Sequence, residues 1–273
     1  MFLALIASIC WAMFDFVRKQ LAVKLSAAQL TVVFAALALP VYCINWFRQD
    51  LPMPTVNYYL PALASGICAA IGSLYYIHAL KQGELSRVLP LLSLTPVVAA
   101  LAGFILLSER LALLQWLAII GITLGCMLIR GGVSMRHKGT NYAVITAIAW
   151  GLCIVFDKLA IAAASVSFHA VFLSLCILLL NYSILRPKFS VEILSHRLWL
   201  IIGAVVFAAA VLTQMFAIAE LSPGIVEAIK RAVGILSALL LGALVLKEQV
   251  SKRQVLLSVV LIALVFLLVT KGA

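Results

Sequence analysis

Lys230 and Arg231 stand side by side within Ser222–Leu246, a stretch that is otherwise apolar and long enough to cross a hydrocarbon layer. A charge near the middle of such a span costs roughly 2.5–3.5 kcal/mol on insertion scales. Two adjacent cations therefore need an answer: an acidic neighbour, a water-filled cavity or an anionic ligand. A guanidinium can hold a carboxylate or phosphate through two parallel hydrogen bonds, and a neighbouring ammonium adds a point charge. Glu227 lies three and four residues before the pair, in the acid-before-base order favoured on a helix. It can neutralise one cation and leave the other for a ligand. Asp15, Arg18 and Lys19 repeat this arrangement in the first apolar run, and Asp157 and Lys158 occupy the corresponding end of the sixth. Lys19 and Lys158 are candidates to face one cavity, with snorkelling to the headgroups as the alternative. His78, beside Tyr75 and Tyr76, is a candidate cavity residue whose plainer reading is a local hydrogen bond. Glu109 and Glu248 read as junction residues paired with Arg110 or Lys247. His137, His169 and His196 fall in or near connections and carry less weight.

The elements that must position these groups follow from composition. Apolar residues make up 66% of 273 positions and charged residues 11%, with a mean hydropathy of +1.21. A water-facing surface needs more charge than that, so this is an all-α integral membrane chain. Apolar runs near residues 1–19, 27–47, 58–80, 84–107, 111–130, 141–163, 167–186, 197–219, 222–246 and 253–270 predict ten transmembrane helices joined by short links. The first run is read as a retained span. The chain also repeats itself. Trp11 and Trp150 are 139 residues apart, as are Lys19 and Lys158, Gly103 and Gly242, Glu109 and Glu248, and Gln115 and Gln254. The repeat divides the chain into units 1–130 and 139–271. Five helices per unit is an odd number, so the second enters the membrane from the opposite side, giving two inverted five-helix repeats.

The paired W-x7-K motifs (Trp11…Lys19 and Trp150…Lys158), Pro96, and the junction Ser108-Glu109-Arg110…Gln115 echoed by Lys247-Glu248-Gln249…Gln254 resemble the drug/metabolite transporter superfamily in its ten-helix EamA-like form. The likeness spans essentially the whole chain. It implies alternating access around a central cavity, with substrates ranging from amino acids to nucleotide sugars. The run IVEAIKRAVGILSALLLG is similar to the ninth helix of plastid phosphate translocators, where an adjacent Lys-Arg pair holds the substrate phosphate. That resemblance assigns Lys230 and Arg231 as anion ligands. Those translocators place a further lysine before the Ser-x-x-Pro turn, whereas here Leu92 precedes Ser93…Pro96; Arg87, about one and a half turns earlier, is the candidate substitute.

The expectation is a secondary transporter of a small polar, anionic metabolite, with substrate-binding candidates Lys230, Arg231, Glu227, Asp15, Lys19, Arg87 and His78. Glu227 and Asp15 are the candidates to tune charge or carry a coupling proton; a counter-substrate is the other coupling partner considered. The alternatives are a lipid-head-group flippase or an amino-acid or amine exporter of the same fold. No GxSxG, Walker loop or HExxH occurs, and the six cysteines fall singly without metal-ligand spacing, so neither an enzyme nor a metal or other cofactor is expected. The net charge of +11 lies mostly in links rather than in a basic stripe with aromatics, which argues against nucleic acid. Lys and Arg concentrate in the odd-numbered links. Charge bias thus puts those links in the cytoplasm and both termini outside; the resemblance implies the reverse. The placement expected is the cell (inner) membrane, with monomer and homodimer both open.

Overall fold

The computed structural model describes residues 1–22, 24–82, 91–129, 139–189, 191–245 and 250–271. Among these are ten α-helices and no strand: α1 (Phe2–Leu21), α2 (Ala27–Phe47), α3 (Tyr59–Gln82), α4 (Thr95–Leu106), α5 (Leu113–Ile129), α6 (Thr140–Ile161), α7 (Val166–Leu185), α8 (Arg197–Glu220), α9 (Pro223–Val245) and α10 (Lys252–Lys271). Six segments are long and apolar enough to cross a membrane: α2, Val56–Ala79, α6, α7, α8 and Lys252–Thr270. α1 and α9 have spanning length and carry the charged clusters, and α4 and α5 are shorter, at 12 and 17 residues. The run expected as one helix over 84–107 is entered, in its described part, through a 3-10 turn at Leu92–Leu94. Pro96 sits in the first turn of α4, where its missing N–H costs no helical bond.

The repeated polar residues outside the charged clusters are helix-starting devices. Ser26 accepts from the Gln29 amide at 3.3 Å while the Gln29 side chain accepts from the Ser26 amide at 2.8 Å, a reciprocal cap on α2. Ser165, 139 residues on, caps α7 by accepting from the Phe168 amide at 3.2 Å. The Gln of each E-x5-Q motif has the same job. Gln115 accepts from the Ala112 amide at 2.8 Å ahead of α5, and Gln254 from the Ser251 amide at 2.9 Å ahead of α10.

Packing joins α3 to α6, α1 to α8, α2 to α7, α5 to α10 and α4 to α9, with α1 also against α9 and α4 against α6. One large core gathers Ala99, Ile119, Ile154, Ile218, Ile229 and Leu261 from six helices. Close approach of α3 and α6 depends on Gly72: a Cβ there would lie 2.4 Å from the Trp150 indole. The outer faces are apolar and bare, with Leu60 80% and Ile105 72% exposed. In water such a surface would be an aggregation hazard; against lipid tails it is the expected exterior.

The helices meet in two ends. At one, α6 finishes beside the start of α3, α7 and α9: the Thr55 amide donates to the Ala163 carbonyl at 3.0 Å, and Asn45 of α2 donates to Ser167 at 2.6 Å. At the other, the last turns of α1 and α3 meet the first turns of α6 and α8, through Tyr75–Tyr142 and Phe16–Trp199 ring contacts.

Candidate functional site

Glu227, Lys230 and Arg231 share one face of α9 by their i, i+3, i+4 spacing, and that face meets α1, α4 and α8. The Glu227 side chain is 3% exposed, against 17% for Lys230 and 21% for Arg231. The two cations are not equivalent. The Lys230 ammonium contacts Glu227 Oε1, donates to Gln214 Oε1 of α8 at 3.0 Å, and lies 5.2 Å from the centroid of the Trp11 ring of α1. A carboxylate, an amide and an aromatic face thus engage all of its donor capacity.

Arg231 is held more loosely. Its Nε is 3.9 Å from Glu227 Oε2, too far for a hydrogen bond, and Nη2 is 3.3 Å from the Thr95 hydroxyl at the start of α4. Arg231 Nε, Glu227 Oε2 and Trp11 Nε1 are buried atoms without a hydrogen-bond partner among the described residues. Two cations against one carboxylate leave a net charge of +1, and most of a five-donor fork is unfilled. An open guanidinium fork of this kind has the geometry to hold one carboxylate or phosphate.

Aromatic rings extend the site along α1 and α3. Arg18 lies 5.6 Å from the Phe14 ring centroid and 5.4 Å from that of Tyr76, and Tyr76 meets Trp150 at 5.4 Å. Arg18 also pairs with Asp15 at 2.8 Å, as the spacing predicts.

Lys158, at the end of α6, donates to Glu109 Oε1 at 2.6 Å and to the Leu221 carbonyl at 2.8 Å. It ties α6 to the ends of α4 and α8. Ser108 adopts a left-handed conformation (φ 54°), so the chain turns back and the Glu109 amide reaches the Gly103 carbonyl at 3.3 Å. A Cβ at Gly103 would sit 3.1 Å from Glu109 Oε2. The repeated Gly and Glu are therefore parts of one corner. The expected pairing of Glu109 with Arg110 or Lys247 is corrected: its partner is Lys158, brought from the other half of the chain by the α4–α6 packing.

A second buried cluster surrounds Asp157. Oδ1 accepts from Ser65 of α3 and from His169 Nε2 of α7 at 3.0 Å; His169 Nδ1 is 3.0 Å from the Tyr58 hydroxyl, and Oδ2 has the Cys153 thiol at 3.7 Å. His169, Ser65 and Tyr58 are fully buried. His169, near the connection that precedes α7, thus lies on the face of that helix turned into the bundle.

A family model for EamA-like transporters matches residues 1–131. An uncharacterized transporter of Archaeoglobus fulgidus is 27% identical over 219 residues, 77% of this chain and 78% of that one. The "Uncharacterized transporter in cobO 3'region" of Sinorhizobium sp is 32% identical over 98 residues, 36% of this chain and 69% of its own length. The chain belongs to the EamA-like transporter family, within the drug/metabolite transporter superfamily. A solved crystal structure shares the fold, covering 99% of this chain and 97% of its own with a TM-score of 0.84 at 15% identity. The chain is thus a multi-pass membrane protein of a transporter family.

The matched region holds Asp15, Lys19, His78 and Arg87, whereas the α9 cluster lies beyond it. Of the candidates read from the sequence, Lys230, Arg231 and Glu227 come together. Asp15 pairs with Arg18 away from them and is 56% exposed. Lys19 and His78 are exposed at the far end of α1 and α3, with His78 Nδ1 against the Leu74 carbonyl at 2.8 Å. Arg87 lies outside the described residues, as do Lys247 and Glu248. Gln214 and Thr95 complete the α9 cluster and were not anticipated. Gln214 had a signal, being the lone amide side chain in the eighth run; Thr95 had none, since hydroxyls are common in apolar helices.

Proposed function

We propose that this protein is a secondary transporter of the cell (inner) membrane that moves a small anionic metabolite by alternating access. The observation that carries the reading is the Arg231 guanidinium, largely free of partners, in a cluster of net charge +1 walled by Trp11, Gln214 and Thr95. A buried cation without its own counter-ion is costly, and an arriving carboxylate or phosphate offsets that cost.

The two units, 1–130 and 139–271, act as inverted repeats in this reading. Its support is the packing pattern: adding five to each helix number turns α1–α8 into α6–α3, α3–α7 into α8–α2, and α1–α9 into α6–α4, all of which are contacts of this fold. The Lys158–Glu109–Leu221 tie closes one end of the bundle, while Asp15, Lys19 and His78 are exposed at the other. In this reading Arg231 is reached from the end where α1 and α3 finish.

Thermal unfolding of the purified full-length chain with inorganic phosphate, carboxylates, amino acids and amines tests the proposal. A ligand at one hundred times its Kd stabilises the folded state by about 2.7 kcal/mol. An anion should raise the midpoint of the parent more than that of Arg231→Gln, which keeps the Lys230–Glu227 pair. Stabilisation by amines or neutral amino acids alone, equal in both proteins, would overturn the anionic reading.

A further inference from the structure

Nine acidic residues occur in the chain, and their partners separate them. Asp15 holds Arg18, Glu109 holds Lys158 and Glu227 holds Lys230. Asp50 and Glu220 are exposed. Among the acids whose side chains are described, Asp157 alone is buried, at 3% exposure, with no Lys or Arg in contact. Lys158, next in sequence, is spent on Glu109 and the Leu221 carbonyl. The other titratable groups facing the cluster are Tyr59 and Cys68 from α3, Cys153 from α6, His169 and Cys176 from α7, and Tyr58 just ahead of α3. None of the thiols or phenols supplies a positive charge.

The hydrogen bonds specify which atoms are free to take a proton. A carboxylate only accepts, so His169 Nε2 carries a hydrogen and Nδ1 accepts from the Tyr58 hydroxyl. Oδ1 is saturated by Ser65 and His169, whereas Oδ2 faces only the weak thiol donor of Cys153 at 3.7 Å. A proton added to His169 would force the Tyr58 hydroxyl to accept, leaving its own hydrogen without an acceptor among the described residues. A proton added to Oδ2 keeps the Ser65, His169 and Tyr58 bonds, reverses the Cys153 contact so that the new O–H points to the sulfur while the thiol hydrogen turns to the Ser65 hydroxyl oxygen at 3.5 Å, and takes the cluster from −1 to neutral.

We propose that Asp157 Oδ2 is a reversible proton-binding site and supplies the coupling acid of transport, in place of Asp15 or Glu227, whose carboxylates already have cations. The coupling role rests on the transporter reading above. Its structural basis is position: Asp157 and Lys158 share one turn of α6, so a movement of α6 against both α4 and the α3–α7 pair parts Lys158 from Glu109 and changes the surroundings of Asp157 together. Loading and releasing the proton is thereby linked to the tie that closes this end.

Infrared difference spectra of the full-length protein in maltoside micelles, recorded as pH is stepped between about 4 and 9, test the site without any substrate. The expected result is one carboxylic C=O component, shifted by deuterium, that is present in the parent and missing from Asp157→Asn, above the signal that exposed acids such as Asp50 and Glu220 give in both. Parent and Asp157→Asn spectra with the same C=O components overturn the proposal. If Asp157→Asn fails to fold, Cys153→Ala decides: loss of the sulfur acceptor must move the band's frequency, and an unmoved band assigns the proton elsewhere. A failed anion panel would leave these spectra intact, and a missing band would leave the Arg231 site intact.

Discussion

Replacing Glu227 by Gln removes the single negative charge facing Lys230 and Arg231 while keeping the side chain's shape. Taking one partner from a buried ion pair costs about 3–5 kcal/mol, because the remaining charge loses its compensation; for a chain of this length that is a fall in Tm of roughly 6–20 °C. The more discriminating measurement apportions that loss. Lys230 makes a direct hydrogen-bonded contact to Oε1, whereas Arg231 Nε stands 3.9 Å from Oε2 without one. Both bases share the through-space attraction, so the difference is one charge-assisted hydrogen bond, about 1.5–3 kcal/mol. Double-mutant cycles built from Glu227→Gln with Lys230→Met, and separately with Arg231→Met, read it directly. The Glu227–Lys230 coupling should exceed the Glu227–Arg231 coupling by that amount. Equal couplings, or a larger one to Arg231, would mean that Arg231 is the paired cation, and the argument for its free donors would collapse.

Arg231→Gln should weaken the stabilising anion about 10- to 150-fold, the loss of one charged hydrogen bond, measured as the concentration dependence of the unfolding midpoint. Gly72→Ala should cost about 1–3 kcal/mol by driving a methyl into Trp150, and Trp150→Phe in the same chain should recover part of it in thermal melts. Lys158→Met should destabilise by about 3 kcal/mol, since Glu109 would be left unpaired at 18% exposure with Oε2 already lacking a partner. Ser174→Ala, which removes a 2.8 Å bond to the Ala35 carbonyl between α7 and α2, should cost only about 0.6 kcal/mol.

Membrane class, helix number and family were legible because they rest on long-range averages and on residues that rarely recur by chance. Ten apolar runs need no side-chain detail, and Trp, Lys, Glu and Gln matched at one offset are hard to obtain otherwise. The Glu227–Lys230 contact was also legible, since i, i+3 on a helix is local geometry. What could not be read was anything that depends on which helix lies opposite. Glu109 had Arg110 beside it in sequence, yet its partner is Lys158, 49 residues away. Asp157 and Lys158 were read together at the end of the sixth run, yet adjacent helical residues point about 100° apart and their environments diverge: Lys158 reaches the ends of α4 and α8, Asp157 faces α3 and α7. His169 was legible as a residue near a helix start, but not that its face of the helix meets Asp157 and Tyr58.

The repeat explains the scaffold and, by its failures, the site. Positions that set architecture recur at the 139-residue offset: the Trp11/Trp150 pair, the Ser26/Ser165 caps, and the Gln115/Gln254 helix starts. The α9 cluster does not recur. The residues equivalent to Glu227, Lys230 and Arg231 are Val88, Leu91 and Leu92, and Leu91 and Leu92 are buried apolar side chains. A second copy of the cluster would add another uncompensated cation to a core that already carries one. Asp157 is likewise unmatched, since Arg18 stands at its equivalent position and faces aromatic rings instead of Ser and His. Duplicated residues thus recur where helices start and pack, whereas the two buried charged clusters occur once each, the proposed anion site on α9 and the proposed proton site on α6.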